Sequence, residues 1–351
     1  MKYSILAIFL FISVLPSHSF SQTSSEIDEI VKSTLSNFPV NTQVSIAIVD
    51  SETVNYYGFI KELDSIRSTD NQDEIFEIGS IAKVFTSVIL ASLVDEGKIG
   101  LNDNINQHFP FPFKDSRKIR YIDLVNHTSG LPRLPQNLDL SKESNPYKEY
   151  KEKELFYYLE NLLTLQNQPT KEYLYSNLGF GLLGYTLGKS QDSSYEKLLQ
   201  TIVLDKYNMT NTYTGIHESD SNLVSGLNAD GEIVPNWDFD VFAGAGGVLS
   251  TSKDLAKFAI AQFNSNDSVL SLARKPTFRV NENMQIGLGW HIMNSKEGES
   301  IYWHNGQTGG YSSSITVNVA NKKAVVVLTN VSIHGINAGE SFSNELFKLV
   351  K

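Results

Sequence analysis

Phe76-Glu77-Ile78-Gly79-Ser80-Ile81-Ala82-Lys83 marks the point at which the chain changes period. Upstream of it, residues 44–49 read as a buried strand, a turn follows at Asp50-Ser51, and residues 56–60 read as a second strand. From about Ile81 the apolar residues recur at helical spacing, with loops between, until roughly residue 265. The clearest helices there are 81–96, 150–163, 178–190 and 253–263. The tail returns to strands at 287–293, 301–304, 311–319 and 323–329, and a helix at 337–351 closes it. Ahead of the first strand, residues 25–38 form an amphipathic pattern through Ile27, Ile30, Val31 and Leu35.

Strands at both ends with helices between them predict an α+β fold. Its economical form is one antiparallel sheet flanked by the two terminal helices, with a large helical lobe inserted. The sheet lobe is expected at about 22–80 and 265–351, the helical lobe at about 81–264, both within one domain spanning 22–351. Residues 1–21 read as a secretory leader: a basic start at Lys2, an apolar run at 5–15, then small polar residues to Ser21. That run is too short to span about 30 Å of hydrocarbon, so cleavage near Ser21 and a periplasmic or secreted product are expected. No later stretch reads as a membrane span, and no coiled-coil seam shows.

Composition narrows the chemistry. The 351 residues hold no cysteine, which removes disulfides, thiolate nucleophiles and cysteine metal sites. With 29 basic and 39 acidic side chains the net charge is −10, and nucleic acid is an unsuitable partner. No cofactor or metal motif stands out. Gly244-Ala245-Gly246-Gly247 lacks the third glycine of a dinucleotide loop, since Leu249 stands there, and reads as a close-packed turn before a helix capped by Thr251.

Ser80 follows a glycine at a loop-to-helix junction, where free backbone N–H groups and the positive helix end support a developing oxyanion. Lys83 lies one turn further on the same face. A serine needs a neighbour to take its proton, and a lysine does so only when its environment keeps it neutral. The same spacing recurs at Ser194/Lys197 and Ser250/Lys253, which read as surface helix starts; Lys83 differs in lying among Ile81, Ala82, Val84 and Phe85. Tyr175-Ser176-Asn177 places a phenol and an amide at a second loop-to-helix junction. His304-Asn305-Gly306 ends a tail strand, and the backbone N–H of Gln307 beyond it is a candidate second oxyanion donor. Tyr302, Trp303 and Tyr311 are candidates for an aromatic subsite.

S-x-x-K, Y-x-N and H-x-G in this order resemble the penicillin-recognising serine hydrolases. The branch is that of class C β-lactamases, serine D-Ala-D-Ala carboxypeptidases, D-aminopeptidases and related esterases. Leu124–Pro132, Gly244–Ser250 with Asp254-Leu255, and Gly287-Leu288-Gly289-Trp290 extend the resemblance from about residue 40 to 335. It implies Ser80 as acyl-accepting nucleophile, Lys83 and Tyr175 sharing base and acid work, and Asn177, His304, Gly306 and Gln307 around the substrate. The His127–Pro132 segment is assigned structure rather than chemistry. The implied partner is a small molecule or peptide: a D-amino-acid peptide, an ester or a β-lactam. His304 stands where class C β-lactamases carry lysine, which favours peptidase- or esterase-like chemistry over β-lactam hydrolysis. The alternatives are a β-lactamase, or an inactive relative that binds cell-wall peptide.

Overall fold

Strand β1 (Gln43–Asp50) is where distant parts of the chain meet in the computed structural model, which describes residues 18–141, 144–215, 221–295 and 298–350. On one side β1 pairs antiparallel with β2 (Thr53–Lys61), which carries β3 (Ile66–Ser68). On its other side it pairs with β12 (Lys323–Thr329), in the register Val44 to Thr329 through Asp50 to Lys323. Beyond β12 follow β11 (Ser312–Asn318), β10 (Ser300–Gln307), β9 (His291–Asn294), β8 (Met284–Ile286) and β7 (Phe278–Arg279). The nine-stranded order is 3-2-1-12-11-10-9-8-7, antiparallel throughout. This is the α+β architecture that the strand-helix-strand pattern predicts.

Because β1 and β12 are central, both their faces are covered, and alternate residues serve different cores. Val44, Ile46, Ile48, Val325 and Val327 pack with Ile27, Val31, Leu35, Phe342 and Leu346 of the terminal helices His18–Leu35 and Ala338–Leu349. Ala47, Val49, Ala324, Val326 and Leu328 face the helical lobe, whose core includes Phe85, Val88, Phe180 and Phe258. Each large apolar side chain buried this way contributes about 1.5–3 kcal/mol. Residues 1–17 of the expected leader lie outside the described residues.

The differences from the predicted elements have local causes. The strand expected at 287–293 is broken by a turn, because Gly289 adopts φ +77° and passes so close to Ser87 that a Cβ would stand 2.2 Å from its Oγ. The helix expected at 150–163 is α-helical only over Glu152–Tyr157 and relaxes into a wider turn at Tyr158–Leu162. A helix at Ser268–Arg274, capped by Asp267, occupies sequence assigned to the sheet lobe, and Val269, Leu270 and Ala273 join the helical-lobe core. Strand β10 extends three residues past His304, carrying Gly306 and Gln307 within the sheet.

A second, three-stranded sheet was not foreseen. Strand β4 (Phe76–Glu77) pairs with β6 (Val248–Ser250), which also holds β5 (Tyr213–Thr214). It matters because it fixes the segment before Ser80 against the one that follows Ala245.

Candidate active site

Ser80 sits in a single 3-10 turn, Gly79–Ile81, that runs directly into the helix Ala82–Asp95. Gly79 adopts φ +49°, a left-handed conformation that suits glycine. Strand β10 crosses this turn backbone to backbone. A Cβ on Gly306 would stand 2.0 Å from the Ile78 carbonyl oxygen and 2.9 Å from the Ser80 nitrogen; one on Gly79 would stand 2.7 Å from the Gln307 nitrogen. Glycine at both positions lets the backbones of Ser80 and Gln307 approach each other.

Lys83 is fully buried, one helical turn from Ser80. Its Nζ lies 2.9 Å from Ser80 Oγ and donates to the Ala245 carbonyl at 2.6 Å. The rings of Tyr175 and Phe180 lie 4.9 and 5.7 Å from the same nitrogen. Desolvation drives the lysine pKa well below its ordinary value, and the Arg133 charge adds to the shift. The small residues of the Ala243–Gly246 helix allow that carbonyl to come close, so the segment read as a packed turn also orients the amine.

Of the other two S-x-x-K copies, Ser194 starts a helix as expected, whereas Ser250 is a buried end of strand β6. Ser194 Oγ accepts from the Lys197 N–H at 3.1 Å. Ser250 is buried against Thr212, the cap passes to Thr251, and Lys253 pairs with Asp73.

Tyr175 lies between Lys83 and the loop after His127. Burial raises its phenol pKa to about 12, while the Ser80 hydroxyl and then Arg133 oppose the rise, so it stays protonated at neutral pH. The His127 imidazole stacks on it at 4.4 Å and accepts the Ser176 N–H on Nδ1 at 3.0 Å; that bond places the ring proton on Nε2. Ser176 Oγ caps the helix Asn177–Ser190 through the Gly179 N–H and donates to the Pro132 carbonyl. The backbone N–H groups of Asn177 and Leu178 donate to the Arg133 carbonyl. The segment assigned structure alone therefore also positions the Tyr175-Ser176-Asn177 element. Asn177 faces the cleft, and its buried Oδ1 has no hydrogen-bond partner among the described residues.

His304 takes a different place from the one expected. It is fully buried, its Nδ1 lies 2.7 Å from the Asn305 carbonyl oxygen, and its ring is 6.5 Å from Tyr175. Desolvation holds its pKa well below the ordinary value, with His291 and Lys83 adding to the shift, so the imidazole is neutral. It supports the strand from beneath, while Gln307 lines the cleft. The Gln307 side chain turns away, donating to Ser332 Oγ and the Ile333 carbonyl.

The cleft holds about 500 Å³, and its aromatic wall is Tyr147, Trp237 and Phe239. The aromatic subsite is thus built from other residues than those expected. Tyr311 is buried with its hydroxyl on the Val224 carbonyl, and Trp303 stacks on His291 at 4.5 Å. Glu77, three residues before Ser80, clamps the wall: its Oε1 accepts from Asn236 Nδ2 at 2.8 Å and from the Trp237 N–H at 2.9 Å. Burial raises the pKa of this carboxyl. Neither Glu77 nor Trp237 carries a spacing signal that marks it from sequence. Among the described residues no group of three His, Asp or Glu side chains is placed to hold a metal ion.

Comparison with known proteins follows the same lines. The Beta-lactamase family profile matches residues 41–334. Beta-lactamase-like protein 4 of Dictyostelium discoideum is 29% identical over 279 residues, covering 72% of this chain and 47% of that protein. A beta-lactamase of Psychrobacter immobilis is 27% identical (76% and 66% covered), and penicillin-binding protein 4* of Bacillus subtilis 26% identical (74% and 61%). The chain thus spans about half the length of the first relative and less than two thirds of the last. A solved beta-lactamase/D-alanine carboxypeptidase from Pseudomonas syringae superposes with a TM-score of 0.78 at 18% identity, covering 94% of this chain and 99% of that one.

Proposed function

The chain belongs to the beta-lactamase family of serine hydrolases, and from that premise we propose that it acts through an acyl-enzyme on Ser80. The observation that carries the proposal is the buried Lys83 amine, 2.9 Å from Ser80 Oγ and held well below its ordinary pKa. A neutral amine there accepts the hydroxyl proton as Oγ attacks a carbonyl carbon. The oxyanion forms between the backbone N–H groups of Ser80 and Gln307, which the two glycines bring together. Tyr175, a protonated phenol facing Ser80, passes a proton toward the leaving group. Lys83 passes the proton it gained to Tyr175, restoring both groups, and water then releases the acyl group through the same base, returning a proton to Ser80 Oγ.

The substrate is most readily an amide. Asn177 Oδ1, buried and unpaired, suits a substrate N–H, which an ester lacks. With the family resemblance, this ranks a short peptide or amide of a D-amino acid first and an ester second. β-Lactam hydrolysis ranks third, because the neutral, buried His304 supplies no cation on the strand side.

Intact mass after incubation with a fluorophosphonate and with a fluorescent penicillin tests the acyl-enzyme. A stoichiometric adduct is expected on the parent protein and none on Ser80→Ala. No adduct on the parent, or one that survives Ser80→Ala, overturns the reading. D-Ala-D-Ala peptides, short acyl esters and a chromogenic cephalosporin then rank the leaving groups.

A further inference from the structure

The cleft is electrostatically lopsided. Its strand side offers the Gln307 backbone over the buried, neutral His304, with Thr308, Ser332 and His334 further along. On the opposite side Arg133 lines the cleft, its guanidinium 5.0 Å from the centre of the Tyr175 ring. Although the protein has 39 carboxylates and a net charge of −10, no Asp or Glu lines this cleft. Among the described residues the Arg133 guanidinium has no ion-pair or hydrogen-bond partner. The exposed Arg67 and the half-buried Arg117, by contrast, pair with Glu62 and Asp115.

Its position is also built. The Arg133 carbonyl receives the Asn177 and Leu178 N–H groups, so the residue is tied to the start of the helix that presents Asn177. Stacking on a phenol leaves the edge of the guanidinium, with its forked N–H groups, free to meet a planar anion.

We infer that Arg133 is a specificity-determining residue that binds a carboxylate of the substrate, from the helical-lobe wall rather than from the strand. The inference rests on the serine-hydrolase reading above and adds to it the chemistry of the substrate. Ser80 faces the hydroxyl of Tyr175 and Arg133 covers its ring, so the carboxylate stands a short spacer from the scissile carbonyl. A carboxylate is favoured over a phosphate or sulfate because Arg133 supplies a single fork; the other basic side chain lining the cleft is the imidazole of His334, which has no such fork.

The test uses two 4-nitrophenyl esters of equal acyl length, hexanoate and the adipate monoester with its free terminal carboxylate. Acylation of Ser80 is read by intact mass and turnover by nitrophenol release. The parent protein should prefer the adipate ester about 10- to 100-fold in kcat/KM, chiefly through KM. The preference should fall toward one in Arg133→Gln and be partly retained in Arg133→Lys. It should also weaken with salt in the parent and not in Arg133→Gln. Because the readout is a ratio within each variant, a general loss of activity does not imitate it. Acylation of the parent by both esters without preference, or a preference that survives Arg133→Gln, overturns the inference while leaving the serine hydrolase intact. No acylation by either ester, together with no fluorophosphonate adduct, overturns both.

Discussion

The two walls of the cleft are made by different means. On the strand side, beside Ser80, β10 presents main chain at Gln307 with the neutral His304 buried beneath it, and Thr308, Ser332 and His334 continue the lining beyond. On the helical side, Asn177, Arg133, Tyr147, Trp237 and Phe239 present side chains from three separate loops and one helix start. A wall of main chain offers the same donors to any carbonyl and suits the reaction common to all substrates. A wall of side chains changes with single substitutions and suits the choice among them. Lys83 stands between, on the helix that starts at the floor.

That division of labour is open to disproof at each part. The largest effect is expected at the floor, where Lys83→Met should lower kcat on the order of 10³-fold with the protein still folded. The pH profile separates a base from a packing residue. As pH falls through the depressed lysine pKa, Nζ, 2.9 Å from Ser80 Oγ, gains a proton and can no longer take one from the serine. The parent kcat/KM should therefore show an acid limb far below the ordinary lysine range, and whatever activity Lys83→Met retains should lack it.

Next is the strand wall. Gly306→Ala places a methyl against the Ile78 carbonyl and must move β10 away from Ser80. A loss of about 10²- to 10³-fold in kcat is expected for every substrate alike, with circular dichroism unchanged. A loss confined to one substrate breaks the comparison. On the helical wall, Trp237→Ala should raise KM roughly tenfold for bulky substrates and leave kcat within about threefold, the loss of one aromatic contact surface. A kcat effect as large as that of Gly306→Ala would show that the wall also sets the reaction.

The smallest effect concerns stability rather than rate. His291, buried beside His304, has its pKa lowered to about 4 by desolvation, with Lys83 repulsion adding to it. Between about pH 6.5 and 4 the unfolded chain takes up a proton that the folded one refuses, so stability falls as pH falls through that window. The share of one histidine is about 3 kcal/mol, reached near pH 4. His291→Asn should flatten the melting temperature between pH 7 and pH 4.5 relative to the parent.

The strand wall and the floor were legible in the sequence, because a nucleophile with its base on one helix face and a close strand crossing demand particular residues at short spacing. Ser80 with Lys83, and Gly306 before Gln307, are of that kind. The helical wall was not. Trp237 and Arg133 lie more than a hundred residues apart, and nothing local distinguishes a cleft tryptophan from a core one. The aromatic subsite is expected at Tyr302, Trp303 and Tyr311 because they adjoin the motif, yet Tyr302 packs edge-on against Trp290, Trp303 stacks on His291 and the Tyr311 hydroxyl reaches the Val224 carbonyl, so none of them lines the cleft. The burial of His304 comes from Tyr175 and His291, distant in sequence, packed around its ring.

The pairing of β1 with β12 carries a consequence for how the molecule is made. Val44 meets Thr329 within the sheet, so the first described strand lacks its partner on that side until the last strand has followed. The helical insert is complete long before then. Folding is therefore a closure across nearly the whole chain, slow by the rule that distant contacts form late, and the edge of β1 opposite β2 must wait unpaired in the interval. Gly306 and Gln307, carried on a strand of the same late group, reach Ser80 only once that closure is under way. A half-made chain would thus hold Ser80 and Lys83 on one helical turn with no strand wall to complete the oxyanion site.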